Sequence, residues 1–349
     1  MRVKASVLGH FGEGENLLNG QTVKTKIVTE ELKNQLGQDQ VLKIDTHGGW
    51  KTLLKAPFQV FRALKNSTNV LIFPAHNGLR VYAPLLSFCR SFFRNRNLHY
   101  VVIGGWLPQF LLSRKGLAKS LKKFDGIYVE TNTMKSALEA QGFENVYVMP
   151  NCKKLTVLSE NELVYPEGMP YKLCTFSRVM REKGIEDAVN AVVSVNTALG
   201  VQAFSLDIYG QVDANQTEWF DSLQKKFPSY IRYGGLVEFD KSVDVLKEYF
   251  ALLFPTYYEG EGFAGTLIDA YSAGVPVIAS DWKYNPELVN ENVGFVYPTG
   301  NQGEFADILQ EVATNPTVLL CKKRFCLIEA EKYKIEKAVR VLIEQTEGN

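Results

Sequence analysis

Residues 257–280 read YYEGEGFAGTLIDAYSAGVPVIAS, directly after an apolar run, ALLFP (251–255), with the length and composition of a buried strand. Of its carboxylates, Glu261 and Asp269 are separated by GFAGTLI, and a small-residue turn then leads into a second strand pattern, VPVIAS (275–280). A helix is expected from Thr266 to Tyr271. Gly260, Gly262 and Gly265 let the loop bring backbone N–H groups close to a ligand. Strand, glycine loop and helix N-terminus together favour an anion, because first-turn N–H groups lack partners and the macrodipole is positive there. Glu261 falls in the loop and Asp269 in the first helical turn, so both are expected at one edge of a crevice. Carboxylates repel phosphate but accept paired hydrogen bonds from vicinal hydroxyls. The stretch therefore suits a ligand with sugar hydroxyls beside a phosphate. Two plainer readings stand beside this one: Thr266-Leu-Ile-Asp269 also fits a capping box, and Glu261 also reads as a solvated loop acid.

Outward from that stretch, strand and helix patterns alternate almost throughout, the signature of parallel α/β sheets. On the N-terminal side VKASVLG (3–9), VLKID (41–45), NVLIFPA (69–75), HYVVIGG (99–105), GIYVE (126–130) and NVYVMP (145–150) read as strands. Thr22 to Leu36 reads as a helix, with Val23, Ile27, Leu32 and Leu36 as its apolar positions. Residues 153–169 lapse into polar residues with Pro166 and Gly168, the composition of a linker. Beyond it YKLCTFS (171–177), FSLDIYG (204–210) and YIRYGGL (230–236) repeat the theme, and Phe325 to Thr346 reads as one long helix. The expected architecture is two Rossmann-like halves facing each other across a cleft, with ligands at the carboxyl ends of the strands.

Composition narrows the function. The chain has 349 residues, 46% hydrophobic and 22% charged, as in ordinary globular domains. Its five cysteines are scattered with no CxxC pair, which points to reduced thiols and a cytoplasmic setting. The N-terminal apolar run is too short for a signal peptide, and no window reaches transmembrane length. The net charge of +1 hides an asymmetry: residues 51–124 hold thirteen Lys or Arg and no Asp or Glu. In FCRSFFRNR (88–96) and LPQFLLSRKGLAKSLKKF (107–124) those cations alternate with bulky apolar residues, a mixture that favours an anionic membrane surface over nucleic acid. A snorkelling surface helix over an ordinary core is the plainer reading. No zinc spacing, GxxxxGK[ST] loop, GxSxG turn or Asp-x-Asp metal motif occurs, so neither a metal nor another cofactor is expected.

Other candidate residues cluster at strand ends. Arg178 and Lys183 follow the YKLCTFS strand, where two cations can surround a diphosphate and offset the charge that builds as it departs. The loop GHFGEGENLLNGQT (9–22) is glycine-rich without a GxGxxG fingerprint, and Gly20, at a helix start, can present N–H groups to a phosphate. His76 in FPAHNG sits at a strand end on the expected cleft.

The acid, seven residues, acid arrangement of Glu261 and Asp269, with its small-residue turn, resembles the C-terminal signature of the GT-B glycosyltransferases of family 4, the group 1 retaining enzymes. Asp269 stands where that family usually has Glu. The spacing of Arg178 and Lys183 also resembles the family's Arg-and-Lys pair. The resemblance covers roughly residues 171–300 in motif and the N-terminal half in topology.

It implies an N-terminal acceptor-binding domain (1–160), a nucleotide-sugar-binding domain (161–328) and a C-terminal helix (329–349) crossing back to the first domain. It implies a retaining, metal-independent transfer from a nucleotide-sugar donor, with Arg178 and Lys183 on the diphosphate, Glu261 on the sugar and Asp269 on the ribose. Gly20, Gly210, Val237, Glu238, Gly262, Phe263, Ala264, Gly265 and Thr266 would complete the donor site. Where relatives have a cleft histidine this chain reads Gly104-Gly105-Trp106, so Trp106 and His76 are the candidates for contact with acceptor or sugar. The expected setting is the cytoplasmic face of a membrane, with a glycan or lipid-linked acceptor of the kind used in bacterial polysaccharide synthesis. The alternative is a non-catalytic GT-B subunit that binds nucleotide sugar and supports a partner enzyme.

Overall fold

The computed structural model describes residues 2–12, 14, 20–93 and 95–347. Residues 13 and 15–19 of the glycine-rich loop after the first strand lie outside the described residues. The chain divides into two compact units, Met1–Lys154 with Lys334–Asn349, and Leu155–Tyr333.

The first unit holds β1 (Val3–Gly9), β2 (Val41–Asp45), β3 (Ser67–Ile72), β4 (Asn97–Val101), β5 (Gly126–Val129) and β6 (Val146–Val148). They form one parallel sheet in the order β2-β1-β3-β4-β5-β6. Helices cover a parallel sheet on both faces, which is why these strands read as near-continuous apolar runs. The chain leaves β1 to one side for β2 and to the other for β3, so the topological switch point lies between β1 and β3. The helix Gly20–Leu36 packs on the sheet through Val28, Leu32 and Leu36. Val23 and Ile27 are only half-buried, because the inward face also carries threonines and Lys24. Lys24 is tolerated there by Glu130, 2.5 Å away at the end of β5.

The second unit holds β7 (Tyr171–Phe176), β8 (Phe204–Tyr209), β9 (Ile231–Gly235), β10 (Ala251–Phe254), β11 (Val277–Ser280) and β12 (Gly294–Tyr297), ordered β12-β11-β10-β7-β8-β9 and again all parallel. Its switch point lies between β7 and β10, whose Leu173 and Cys174 stand beside Ala251 and Leu252. Alternate residues of these strands serve opposite cores: Leu173, Ala251 and Leu253 join one apolar cluster, and Cys174, Leu252 and Phe254 the other.

The long helix expected over 325–346 is broken. It runs as Lys323–Ala330, a 3-10 turn Glu331–Tyr333, then Ile335–Ala338 and Arg340–Glu347. Lys334 adopts an extended conformation, φ −60° and ψ 139°, which ends one helical run and starts the next. The part from Lys334 onward belongs to the first unit, where Ile335, Ala338, Val339 and Leu342 join the β1 core.

Candidate active site

At the second switch point Lys183 follows β7 and Glu261 follows β10. Gly184 makes the approach of these two loops possible. It has φ 69°, and a Cβ there would fall 2.1 Å from the Pro255 carbonyl oxygen. The Tyr257 N–H donates to the Glu182 carbonyl across 2.8 Å and ties the loops together. Lys183 Nζ then lies 2.5 Å from Glu261 Oε2, with both side chains largely buried. Thr256 Oγ1 donates to the same carboxylate oxygen at 2.9 Å. The Tyr258 ring lies 5.0 Å from the ammonium. Trp282 Nε1 donates to the Tyr258 carbonyl at 2.7 Å, and Ser280 Oγ to the Thr256 carbonyl at 2.5 Å, so β11 also braces this loop. Glu261 is therefore not a solvated loop acid.

The expected grouping of cations is only half present. Lys183 sits on Glu261, whereas Arg178 is exposed, 3.7 Å from Asp213, and among the described residues no contact joins it to Lys183 or Glu261. Sequence reading missed Thr256 and Trp282, although a threonine and an indole at strand ends beside the motif were available signals.

The helix after the loop is Gly265–Ser272, with Ala264 as its N-cap and no side-chain cap. That corrects two expectations. The Thr266–Asp269 capping box does not form, and Asp269 lies beyond the first turn as the fifth helical residue. Starting the helix at Gly265 instead of Thr266 moves the acid inward, where it is buried and accepts a hydrogen bond from Ser242 Oγ at 3.0 Å. Thr266 Oγ1 is buried with no partner among the described residues. Phe263 packs edge-on against Tyr333, with centroids 4.7 Å apart, so its side chain belongs to the core, and what this loop offers a ligand is backbone.

Gly210, with φ 133°, allows β8 to end within touching distance of β7; a Cβ would meet the Ser177 carbonyl oxygen at 1.8 Å. Its N–H donates to Gly235 and its carbonyl accepts from Tyr233 Oη, so both backbone groups are engaged inside the unit. Val237 is half-buried and Glu238 exposed in the loop that leads to Ser242.

The first unit has its own cavity at its switch point, about 410 Å³, lined by His10, Gln21, Thr46, His76, Asn77 and Tyr82 among others. Gly20 begins the helix that contributes Gln21. His76 stacks on Trp106 with ring centroids 3.8 Å apart, so the two candidates for acceptor contact do come together. Burial, and then the Arg114 charge, lower the His76 pKa and favour its neutral imidazole. Behind the cavity His47 Nδ1 lies 2.7 Å from His10 Nε2, and His10 Nδ1 lies 2.7 Å from Thr22 Oγ1.

Residues 170–315 match the family model of the Glycosyl transferases group 1. The whole chain superposes on sucrose-phosphate synthase from Thermosynechococcus elongatus with a TM-score of 0.76 at 14% identity, covering 99% of each chain. The chain has the GT-B fold, and its residues 170–315 are similar to the group 1 glycosyltransferases. The GT-B chain also superposes on Anabaena HepE, solved in complex with UDP and glucose, with a TM-score of 0.70 at 13% identity and 100% of each chain covered. In sequence it is 29% identical over 188 residues to the GtfA subunit of the UDP-N-acetylglucosamine–peptide N-acetylglucosaminyltransferase of Streptococcus gordonii. That match takes in 51% of this chain and only 35% of the relative. The likeness to the solved structures establishes the GT-B fold, in which the pair Lys183–Glu261 stands at the switch point of the second sheet.

Proposed function

We propose that this GT-B protein transfers a sugar from a nucleotide-sugar donor to a glycan or lipid-linked acceptor, with retention of configuration and without a metal ion. The observation that carries the reading is the buried Lys183–Glu261 pair at the carboxyl ends of β7 and β10, where parallel α/β sheets bind ligands. The ammonium offsets the diphosphate charge, together with Arg178. Glu261 positions the sugar, and Asp269 serves the ribose from the helix behind the loop. The N–H groups of Gly265 and Thr266 and the unpartnered Thr266 hydroxyl suit phosphate oxygens.

In the step itself the bond from the anomeric carbon to the β-phosphate oxygen breaks as the acceptor oxygen bonds to that carbon on the same face. The acceptor proton passes to the departing phosphate oxygen. No protein nucleophile is needed; charge stabilisation and positioning supply the rate.

The first-unit cavity takes the acceptor, whose hydroxyls meet Gln21, Thr46 and Asn77 and whose ring faces the His76–Trp106 stack. Among the described residues no helix is long and apolar enough to cross a membrane. A lipid-linked acceptor is reached instead by docking on an anionic bilayer at the cytoplasmic face, with bacterial polysaccharide-type synthesis as the setting. The test is release of nucleoside diphosphate from a panel of nucleotide sugars, uridine diphosphate sugars first. Turnover of none, with a nucleoside diphosphate still bound, would leave a non-catalytic nucleotide-sugar-binding GT-B subunit as the better reading; no turnover and no binding would overturn both.

A further inference from the structure

The exposed apolar surface of the first unit is confined to one stretch of chain. Among the described residues its exposed large apolar side chains are Leu54, Phe58, Phe61, Phe88, Phe92 and Leu112. All six lie within residues 51–124, the stretch with thirteen cations and no carboxylate. Apolarity and charge of a single sign are independent properties, and here they coincide.

Helical geometry and ring contacts gather most of these side chains on one face. In the helix Ala56–Asn66, Val60, Ala63 and Leu64 face the core, whereas Phe58, Phe61, Arg62 and Lys65 are exposed. Those four positions are spaced i, i+3, i+4 and i+7 and form one stripe. Lys65 Nζ stands 6.0 Å from the Phe61 ring centre, and Phe61 meets Phe93 edge-on at 5.6 Å. Phe93 closes the turn Arg90–Phe92, where Phe92 packs edge-on against Phe88 at 5.5 Å. Phe58, Phe88 and Phe92 are 70%, 67% and 72% exposed. A solvated helix face does not carry such side chains, and a patch of this kind marks an interaction surface.

We infer that the helix Ala56–Asn66 and the turn Arg90–Phe92 form the face that enters an anionic lipid surface. Phe58, Phe61, Phe88 and Phe92 insert among the acyl chains, and Lys55, Arg62 and Lys65 hold lipid phosphates. The choice of a bilayer as partner rests on the membrane-apposed acceptor proposed above and on charge complementarity, since residues 51–124 carry only cations. The helix Lys115–Leu121 is cationic too, but none of its large apolar side chains is exposed, and the neighbouring Lys122 is engaged with the Gln141 carbonyl at 2.7 Å. Its part is electrostatic only.

The test is cosedimentation of the full chain with phosphatidylcholine vesicles containing about 30 mol% phosphatidylglycerol, at low salt and at about 0.5 M salt, where charge attraction is screened and insertion is not. Wild type should bind at low salt and keep part of its binding at high salt. The variant Phe58→Ser, Phe61→Ser, Phe88→Ser, Phe92→Ser should bind about tenfold more weakly at low salt and lose binding at high salt. Lys115→Gln, Lys119→Gln, Lys123→Gln should show the reverse, weaker at low salt with the salt-resistant part kept. Phe58→Trp, a single change at an exposed site, should give vesicle-dependent blue-shifted emission beyond that of wild type.

Equal binding by the four-serine variant and wild type, or no blue shift at position 58, overturns this face while leaving the membrane reading in place. Failure of wild type to bind any vesicle ends both, and leaves the donor reading to be judged by nucleotide binding. If the serine variant instead loses self-association, the face joins copies of this chain and the inference is wrong.

Discussion

Ser242 Oγ donates to the Asp269 carboxylate across 3.0 Å, linking the helix that follows the Val237–Glu238 loop to the helix that follows the Glu261 loop. Asp269→Asn keeps the shape and removes the charge. Binding of the bare nucleoside diphosphate should weaken by about 1–3 kcal/mol, the range for a charged hydrogen bond. Calorimetric titration measures it. A lower melting temperature with unchanged nucleotide affinity would make Asp269 a brace and leave the ribose without its partner.

Lys183→Ala should lower turnover by about 10²-fold or more, as when a preorganised charge stabiliser is lost. It should also destabilise the second unit by about 3 kcal/mol, because Glu261 is left as a buried, uncompensated charge. The double variant Lys183→Ala, Glu261→Gln separates these effects. Stability should return in large part and turnover should not. Arg178→Ala, at an exposed position, should lower turnover with no stability change. Restored turnover in the double variant would reduce the pair to a structural role.

Transfer should proceed fully in excess chelator, since protein cations offset the diphosphate. Activity assayed with and without added manganese or magnesium decides the matter. A strict metal requirement would contradict the proposed mechanism.

His99 is buried between the Tyr128 hydroxyl and the Asn69 side-chain oxygen, 3.0 and 3.2 Å from its ring nitrogens. Burial pulls its pKa down to about 4. The unfolded chain therefore binds a proton that the folded one refuses, and stability falls as pH drops below the unfolded histidine value of about 6.5. Between pH 7 and pH 5 the loss from this group should be about 2 kcal/mol. Denaturant unfolding of wild type and His99→Gln at both pH values checks it. An equal pH dependence in the two would remove His99 as the cause.

Much of the sheet architecture was legible. The runs 3–9 and 41–45 coincide with β1 and β2, each a short run centred on β-branched or leucine side chains between polar or glycine-containing loops. β12 escaped notice: GFVY is short and only partly buried, with little pattern to read. Lys183 and Glu261 were each legible as strand-end residues. Their pairing was not, since contact between residues so distant in sequence depends on β7 and β10 being neighbours. Asp269 was misplaced by a one-residue difference in where the helix begins, and that depends on Ala264 taking the N-cap without a side-chain bond. The exposed phenylalanines were readable in principle. In APFQVFRALKN, Phe58 and Phe61 fall off the stripe of Val60, Ala63 and Leu64, a conflict within one short helix.

The first unit includes residues made only after the whole of the second. Ile335, Val339 and Leu342 complete the core around β1, and Asn69 on β3 donates to the Thr346 carbonyl at 3.0 Å. During synthesis, then, Leu155–Tyr333 is complete before the earlier-made unit, whose sheet is already made, has all of its core. A nascent chain stalled near Tyr333 would carry a finished second unit behind an N-terminal portion whose apolar face still waits for its cover.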